Sequence, residues 1–266
     1  MMVKTGCGPT STDASIERIQ WPGLPENVHA LTSTRSGGVS MAPYDNGNAL
    51  GGLNLGAHVG DDAISVALNR QLFNRHLPST VSFLSQVHGN AVADAGRILP
   101  GHIADACFTS SSSVVCAILT ADCLPVLLCD REGAVVAAAH AGWRGLASGI
   151  LQSTVGKMRE SGAQEIMAWM GPAIGPEQFE VGQDVLDVFC TVVKDASRYF
   201  VLKQLDDQGE RKYLADIYGL ARSVLSESGV VAVDGGTCCT FTEKDKFYSY
   251  RRDGVTGRMA SAIWID

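Results

Sequence analysis

Three short apolar runs stand close together in the middle of the chain and limit what it can fold into. They are VVCAIL (114–119), LPVLLC (124–129) and AVVAAA (134–139). None of them alternates between apolar and polar residues, which is typical of strands covered on both faces. The runs therefore predict neighbouring strands of a buried sheet.

The segments around these runs supply the helices that such a sheet needs. Asp61 or Asp62 can cap a helix that presents Ile64, Leu68 and Leu72, and residues 146–158 carry apolar residues at helical spacing. Further helices are predicted near 183–194 and 213–227, and further strands at 28–34, 81–87, 165–170, 247–250 and 259–265. We expect an α+β fold, a single domain over residues 21–266 with a mixed β-sheet core flanked by helices, after a flexible N-terminal lead-in of residues 1–20.

Composition narrows the classes of function. The net charge of −7 argues against nucleic-acid or anionic-membrane partners, and no apolar run reaches the roughly 18 residues of a membrane span. The N-terminus lacks the apolar segment of a signal peptide, so a cytoplasmic location is expected. The eight cysteines include no CxxC pair, and we expect them to be reduced. No unexplained apolar helix face stands out, which favours a monomer.

A predicted hairpin brings a cysteine and a histidine together. If Cys129 pairs with Ala134 across the turn 130–133, then Cys123 lies directly opposite His140 on the same face. This arrangement suits a thiolate and an imidazole that share a metal, or a Cys-His nucleophilic dyad. Taken singly, either residue is more often a core residue, and the coincidence of register favours a site.

His88 is the best-placed third ligand, because it ends a predicted strand just before a Gly-Asn turn. One thiolate and two imidazoles would leave the fourth position of a zinc ion open, which is the pattern of a catalytic site.

Long motifs resemble the YfiH/YlmD family, whose members have been described as laccase-domain proteins, polyphenol oxidases, purine nucleoside phosphorylases and peptidoglycan editing factors. They are STRSGGVS (33–40), LNLGAHVGDD (53–62), QVHGN (86–90), TADCLPVLL (120–128), AAHAGWRGL (138–146), GPAIGPEQFEVG (171–182) and FYSYRRDGVTGRMASAIW (247–264). They follow the family's order over nearly the whole chain after about residue 20. The stretch DNGNALGGLNLG carries extra residues compared with the usual family spacing.

The resemblance implies the YfiH-like cysteine hydrolase fold with zinc bound by His88, Cys123 and His140. It implies phosphorolysis of adenosine, guanosine, inosine and 5′-methylthioadenosine, with adenosine deamination as a side activity. Alternatives are hydrolytic editing of a peptidoglycan precursor and copper-dependent polyphenol oxidation. The oxidase is the weakest alternative because a multicopper cluster needs many imidazoles and the chain has six histidines. Copper can still bind in vitro, since it outcompetes zinc at most sites.

Phosphorolysis requires cations for phosphate and a slot for a flat base, and the partners are then a nucleoside and phosphate. Arg144 follows His140 at a predicted helix start, where backbone amides favour anions, and Trp143 can stack on a purine. Asp122 can orient a ligand or carry a proton. The remaining candidate contacts for substrate or phosphate are Arg35, Asn54, Arg70 and Gln86.

Overall fold

The computed structural model describes residues 15–266. Within that range it contains six α-helices: α1 (Ala63–Asn74), α2 (Trp143–Ala147), α3 (Ile150–Glu160), α4 (Gln183–Val192), α5 (Ile217–Glu227) and α6 (Tyr250–Asp253). The strands are β1 (Ile16–Arg18), β2 (Val28–Ser33), β3 (Ser36–Ser40), β4 (Val92–Asp94), β5 (Ala106–Thr109), β6 (Val115–Thr120), β7 (Leu124–Asp130), β8 (Val136–Ala141), β9 (Ile166–Met170), β10 (Glu180–Gly182), β11 (Phe200–Leu205), β12 (Arg211–Ala215), β13 (Ala232–Gly235) and β14 (Met259–Ile265).

Three sheets organise these strands. A six-stranded sheet has the order β13-β9-β7-β8-β5-β4, a four-stranded sheet the order β1-β2-β14-β6, and a three-stranded sheet the order β10-β12-β11. The six-stranded sheet is mixed, because β13–β9 and β4–β5 are parallel pairs and the others are antiparallel. The prediction of an α+β fold with a mixed sheet and flanking helices is confirmed, with three sheets where one was expected.

The two larger sheets pack face to face and make the chain a layered structure. Leu127 and Val136 of the six-stranded sheet meet Ile118 and Ile263 of the four-stranded sheet in one cluster. The other face of the six-stranded sheet packs on α3 and α5, and the other face of the four-stranded sheet contacts Phe73 of α1. Both faces of β7 and β8 are therefore covered, which explains why their sequences are apolar without alternation.

The hairpin between β7 and β8 has a register two residues away from the predicted one. Leu124 pairs with Ala141 and Pro125 with His140, so Cys123 is not directly opposite His140. The turn lies one residue later than expected, because Asp130 continues β7 and its amide bonds to the carbonyl of Val135. A shift of two residues preserves the alternation of faces, so the two side chains still share one face.

Several element predictions were wrong in detail. Helix α1 is capped by Asp62 as expected, but it buries Val66, Asn69 and Phe73, and Ile64 is 71% exposed. The helix predicted through 146–158 is split at Gly149, whose φ of 90° ends α2 before α3 begins. Residues 81–87, predicted as a strand, form only one isolated bridge. Residues 211–215 form a strand that overlaps the start of the helix predicted at 213–227, and residues 247–250, predicted as a strand, lead into a helix.

A short strand begins inside the stretch of residues 1–20 that was predicted as a flexible lead-in. Ile16–Arg18 forms β1, which pairs with β2. The rest of the predicted lead-in, residues 1–14, lies outside the described residues. No helix in residues 15–266 is long and apolar enough to span a membrane.

Candidate functional site

Three side chains from distant parts of the sequence meet at the end of the β7–β8 hairpin. The ligand atoms of His88, Cys123 and His140 all lie within 4.8 Å of one another. The Sγ atom of Cys123 is 3.7 Å from Nε2 of His88, and the two imidazole centroids are 4.8 Å apart. The structure thus brings together the three residues that the sequence analysis selected as ligands.

The backbone explains how the three side chains converge. His140 is the fifth residue of β8, whereas Cys123 directly precedes β7, and His88 lies in a turn with a φ of 60°. Gly142 follows β8, and a Cβ atom there would lie 2.9 Å from both Cys123 Sγ and His88 Cδ2. This glycine therefore leaves the space in which the thiol and the imidazole approach each other.

The donor set, and the spacing of the Cys123–His88 pair within it, fit a tetrahedral zinc ion. Zinc–sulfur and zinc–nitrogen bonds of about 2.3 and 2.0 Å place the two donors about 3.5 Å apart, close to the observed 3.7 Å between Cys123 and His88. His140 is buried, Cys123 half-buried and His88 exposed, so the cluster opens on one side. Three protein ligands with an open side are the arrangement of a catalytic zinc site.

Opposite charges stabilise one another inside the cluster. Burial raises the pKa of the Cys123 thiol, but the positive charge and hydrogen bond of His140 outweigh burial, and its pKa falls to about 6. Burial lowers the pKa of His140, yet Cys123 and the carboxylate of Asp105 raise it to about 9. Without metal, the pair is therefore a thiolate beside an imidazolium at neutral pH.

Asp105, which no sequence motif singled out, is fully buried beside the cluster. Its Oδ1 atom accepts a hydrogen bond from Nδ1 of His140 at 2.8 Å, and its carboxylate also accepts from backbone amides of residues 87–89. The available signal was an acidic residue directly before the apolar strand ACFT, in a position where a charge needs a partner.

A cavity of about 250 Å³ adjoins the open side of the cluster. Trp143 and Arg144, two of the candidate substrate contacts, line it, and the Arg144 guanidinium carbon lies 4.3 Å from the Trp143 ring centroid. Asp122 also lines the cavity. The lining residues that sequence reasoning did not select are Ala121, Ile174, Phe179, Ile217, Tyr250 and Arg251.

Asp122 lies next to Cys123 with a φ of 83°, and both of its carboxylate oxygens already have partners. One accepts a hydrogen bond from the Thr240 hydroxyl at 2.5 Å, and the other from the backbone amide of Arg251 at 2.6 Å. These contacts tie the cysteine-bearing turn to the chain near the C-terminus. The structure thus places Asp122 where it orients the turn that carries Cys123.

Four other candidates do not line the cavity. The guanidinium of Arg35 is buried and donates to the carbonyls of Asp45 and Lys244, and Gln86 exchanges two hydrogen bonds with the backbone of Leu119. Asn54 accepts from the amides of residues 56 and 258 and donates to Asp61. Arg70 donates to the carbonyl of Leu55 and lies over Phe83. In this structure these side chains hold loops in place.

The chain is similar to curated proteins over nearly its whole length. The chain is 50% identical over 249 residues to "Purine nucleoside phosphorylase YfiH" of Escherichia coli K12, covering 92% of this chain and 97% of that protein. A purine nucleoside phosphorylase of Pseudomonas aeruginosa is 49% identical over 247 residues, with 92% and 96% covered.

Solved structures with the same fold cover nearly the whole chain. Neisseria meningitidis protein NMB0706 is 47% identical with a TM-score of 0.84, covering 95% of this chain and 99% of that one. The Bacillus licheniformis protein YfiH is 28% identical with a TM-score of 0.84, and the coverage is 96% and 98%. The family model described as "Multi-copper polyphenol oxidoreductase laccase" matches residues 29–266. The chain therefore belongs to this laccase-like family, together with its YfiH relatives.

Proposed function

We propose that this protein is a zinc-dependent purine nucleoside phosphorylase. The observation that carries the proposal is the cluster of His88, Cys123 and His140 opening onto a cavity walled by aromatic and cationic side chains. The names of its relatives in Escherichia coli and Pseudomonas aeruginosa support the same reaction. The proposed substrates are adenosine, guanosine, inosine and 5′-methylthioadenosine, with adenosine deamination as a side activity.

The reaction exchanges one bond at the ribose. A phosphate oxygen attacks C1′, the bond from C1′ to the purine nitrogen breaks, and its electron pair leaves with the purine, which takes up a proton. Zinc held by the three residues would supply a Lewis acid that stabilises developing negative charge. The protein would act as a monomer in the cytoplasm on nucleoside and phosphate, without a nucleic-acid or membrane partner.

The cavity residues have separate tasks in this proposal. Trp143 and Phe179 offer flat apolar surfaces against which a purine can pack, and their bulk limits access of water to C1′. Arg144 and Arg251 place positive charge at the same cavity, which favours the phosphate dianion. Excluding water matters because water would otherwise replace phosphate as the attacking group.

Inosine with and without phosphate gives the direct test. Zinc-loaded protein should release hypoxanthine and ribose 1-phosphate only when phosphate is present, and Cys123→Ala should lower the rate on the order of 100-fold or more. Cys190→Ala, which changes an exposed cysteine of α4, should leave the rate unchanged. Equal hypoxanthine release without phosphate, or none from the loaded protein, contradicts the proposal.

A second candidate, hydrolysis by a Cys-His pair on a peptidoglycan precursor, is favoured by one observation. Cys123 lies in one cluster with His88 and His140, with its Sγ atom 3.7 Å from His88 Nε2. Despite burial, the charge and hydrogen bond of His140 lower the pKa of the thiol to about 6, which favours a thiolate nucleophile. In that case a thiol-directed acyl probe should label Cys123 in the active enzyme, and chelation should preserve turnover. Labelling that never occurs, together with activity lost on chelation, contradicts hydrolysis by this pair.

Copper-dependent polyphenol oxidation has less support, because the described residues contain one metal-ligand cluster.

A further inference from the structure

The buried carboxylate of Asp105 receives four hydrogen bonds from the neighbourhood of the metal cluster. Oδ1 accepts from the backbone amide of His88 at 2.9 Å and from Nδ1 of His140 at 2.8 Å. Oδ2 accepts from the amides of Val87 at 3.1 Å and Gly89 at 2.7 Å. The carbonyl of Asp105 also accepts from the amide of His140 at 2.7 Å. One residue therefore contacts both histidines of the cluster.

The contact with His140 determines which ring nitrogen can bind a metal. An ionised carboxylate only accepts hydrogen bonds, so Nδ1 of His140 must carry the proton. Backbone amides can only donate, and they donate to both oxygens of Asp105, so the carboxylate is the acceptor throughout this cluster of hydrogen bonds. Nε2 of His140 is then the nitrogen with a free lone pair for a metal.

The contacts with the backbone determine where His88 lies. His88 has a φ of 60°, a conformation that non-glycine residues rarely adopt. Three successive amide groups point at the same carboxylate and hold the turn in this conformation. The distance of 3.7 Å between His88 Nε2 and Cys123 Sγ depends on this turn.

We propose that Asp105 is a positioning residue that sets both imidazole ligands of the metal site, selecting the tautomer of His140 directly and placing His88 through the backbone. This inference rests on the proposed metal site and not on the reaction performed there. A carboxylate behind a ligand histidine commonly raises metal affinity roughly 10–100-fold. Here the same carboxylate also shapes the turn that carries a second ligand.

Asp105→Asn tests this role at nearly constant side-chain volume. If the amide oxygen serves Val87 and Gly89, the NH₂ group faces His140 and turns its Nδ1 into an acceptor, which moves the proton to Nε2. We expect the zinc dissociation constant, measured by competition with a chromophoric chelator, to rise roughly 10–100-fold. The matched control is Asp130→Asn, which alters another buried carboxylate, at the end of β7, that accepts a hydrogen bond from the Gln164 amide. It should leave the dissociation constant unchanged.

A purely structural role predicts a different result. Asp105→Asn would then lower the melting temperature while zinc affinity stayed within about twofold of wild type, and this outcome overturns the proposal. If the variant does not fold, wild-type protein labelled with ¹⁵N-histidine decides the question. Zinc-loaded protein should show the His140 proton on Nδ1, and a proton on Nε2 overturns the proposal. Neither readout depends on turnover, so a failure of the phosphorylase proposal remains separate.

Discussion

At the scale of single residues, Cys123 and Cys129 show how neighbours decide the chemistry of a thiol. Burial raises the pKa of both, and the adjacent Asp130 carboxylate adds to this effect at Cys129, whose pKa rises to about 12. At Cys123 the positive charge of His140 reverses the outcome, and the pKa falls to about 6. Two cysteines at opposite ends of β7 therefore differ in reactivity because of their charged neighbours.

The pH dependence of alkylation follows from these shifts. In chelated protein, the rate at which iodoacetamide modifies Cys123 should be constant well above its pKa and half-maximal near pH 6. Below that pH it should fall about tenfold per unit, because the lowered pKa means that the thiolate is lost only in acid. Peptide mapping measures Cys123 separately, and Cys129 should stay unmodified. A midpoint above pH 8 would contradict the ion pair between Cys123 and His140.

At the scale of elements, the hairpin of β7 and β8 ends in a glycine that the site requires. An added methyl group at Gly142 would meet both Cys123 and His88 at 2.9 Å. Gly156, in the middle of α3, has nothing within 4 Å of its Cβ position. The two positions therefore separate the effect of crowding a metal site from the general effect of replacing glycine by alanine.

Gly142→Ala should weaken zinc binding roughly tenfold or more, since overpacking costs about 1–3 kcal/mol and the strain falls on two ligands. Gly156→Ala should leave zinc affinity unchanged and stabilise the protein by about 0.5–1 kcal/mol, because alanine loses less conformational entropy in a helix. Chelator competition and urea unfolding measure the two effects. Unaltered zinc affinity in Gly142→Ala would show that the ligands do not need this space.

Much of the strand content could be predicted from the sequence, because apolar runs covered on both faces are conspicuous. The register of β7 and β8 could not, since a turn placed one residue later shifts every pair by two, and local composition does not distinguish the two turns. A shift of two residues leaves each side chain on the predicted face of the sheet, so Cys123 and His140 still meet in the structure.

The surroundings of the cluster were harder to predict than its ligands. Asp105 acts through backbone amides 16–18 residues away in sequence, a relationship that no motif spacing displays. Arg35 lies in a glycine-rich loop and Arg70 in the helix that follows it, and both were candidates for phosphate contact, but their guanidinium groups bond to loop carbonyls. Whether an arginine meets a ligand or a carbonyl depends on tertiary packing.

At the scale of the whole molecule, the cluster connects elements that are neighbours only in the folded sheet. His140 belongs to β8, Cys123 precedes β7, and the turn that carries His88 is bonded to Asp105 next to β5. These three strands pair in the order β7-β8-β5. A metal ion bound there would hold the centre of the six-stranded sheet together and would bind the folded state alone.

Chelation should therefore lower the melting temperature. A ligand present at 100 times its dissociation constant adds about 2.7 kcal/mol to the free energy of unfolding, which corresponds to roughly 5–10 °C for a domain of this size. In Cys123→Ala the chelator should have little effect. Calorimetry with and without zinc measures both values, and equal melting temperatures for chelated and zinc-loaded wild type would argue against a bound metal in the folded protein.

The wide sequence separation of the cluster also has a consequence for the order of folding. Cys123 lies 35 residues from His88, and His140 lies 35 residues from Asp105. Contacts of this range form after local structure, because long loops must close first. In a cobalt-substituted sample, the absorption of the metal–thiolate bond should thus develop later than helical circular dichroism during refolding. The time at which this absorption appears would then report when the strands of the sheet have come together.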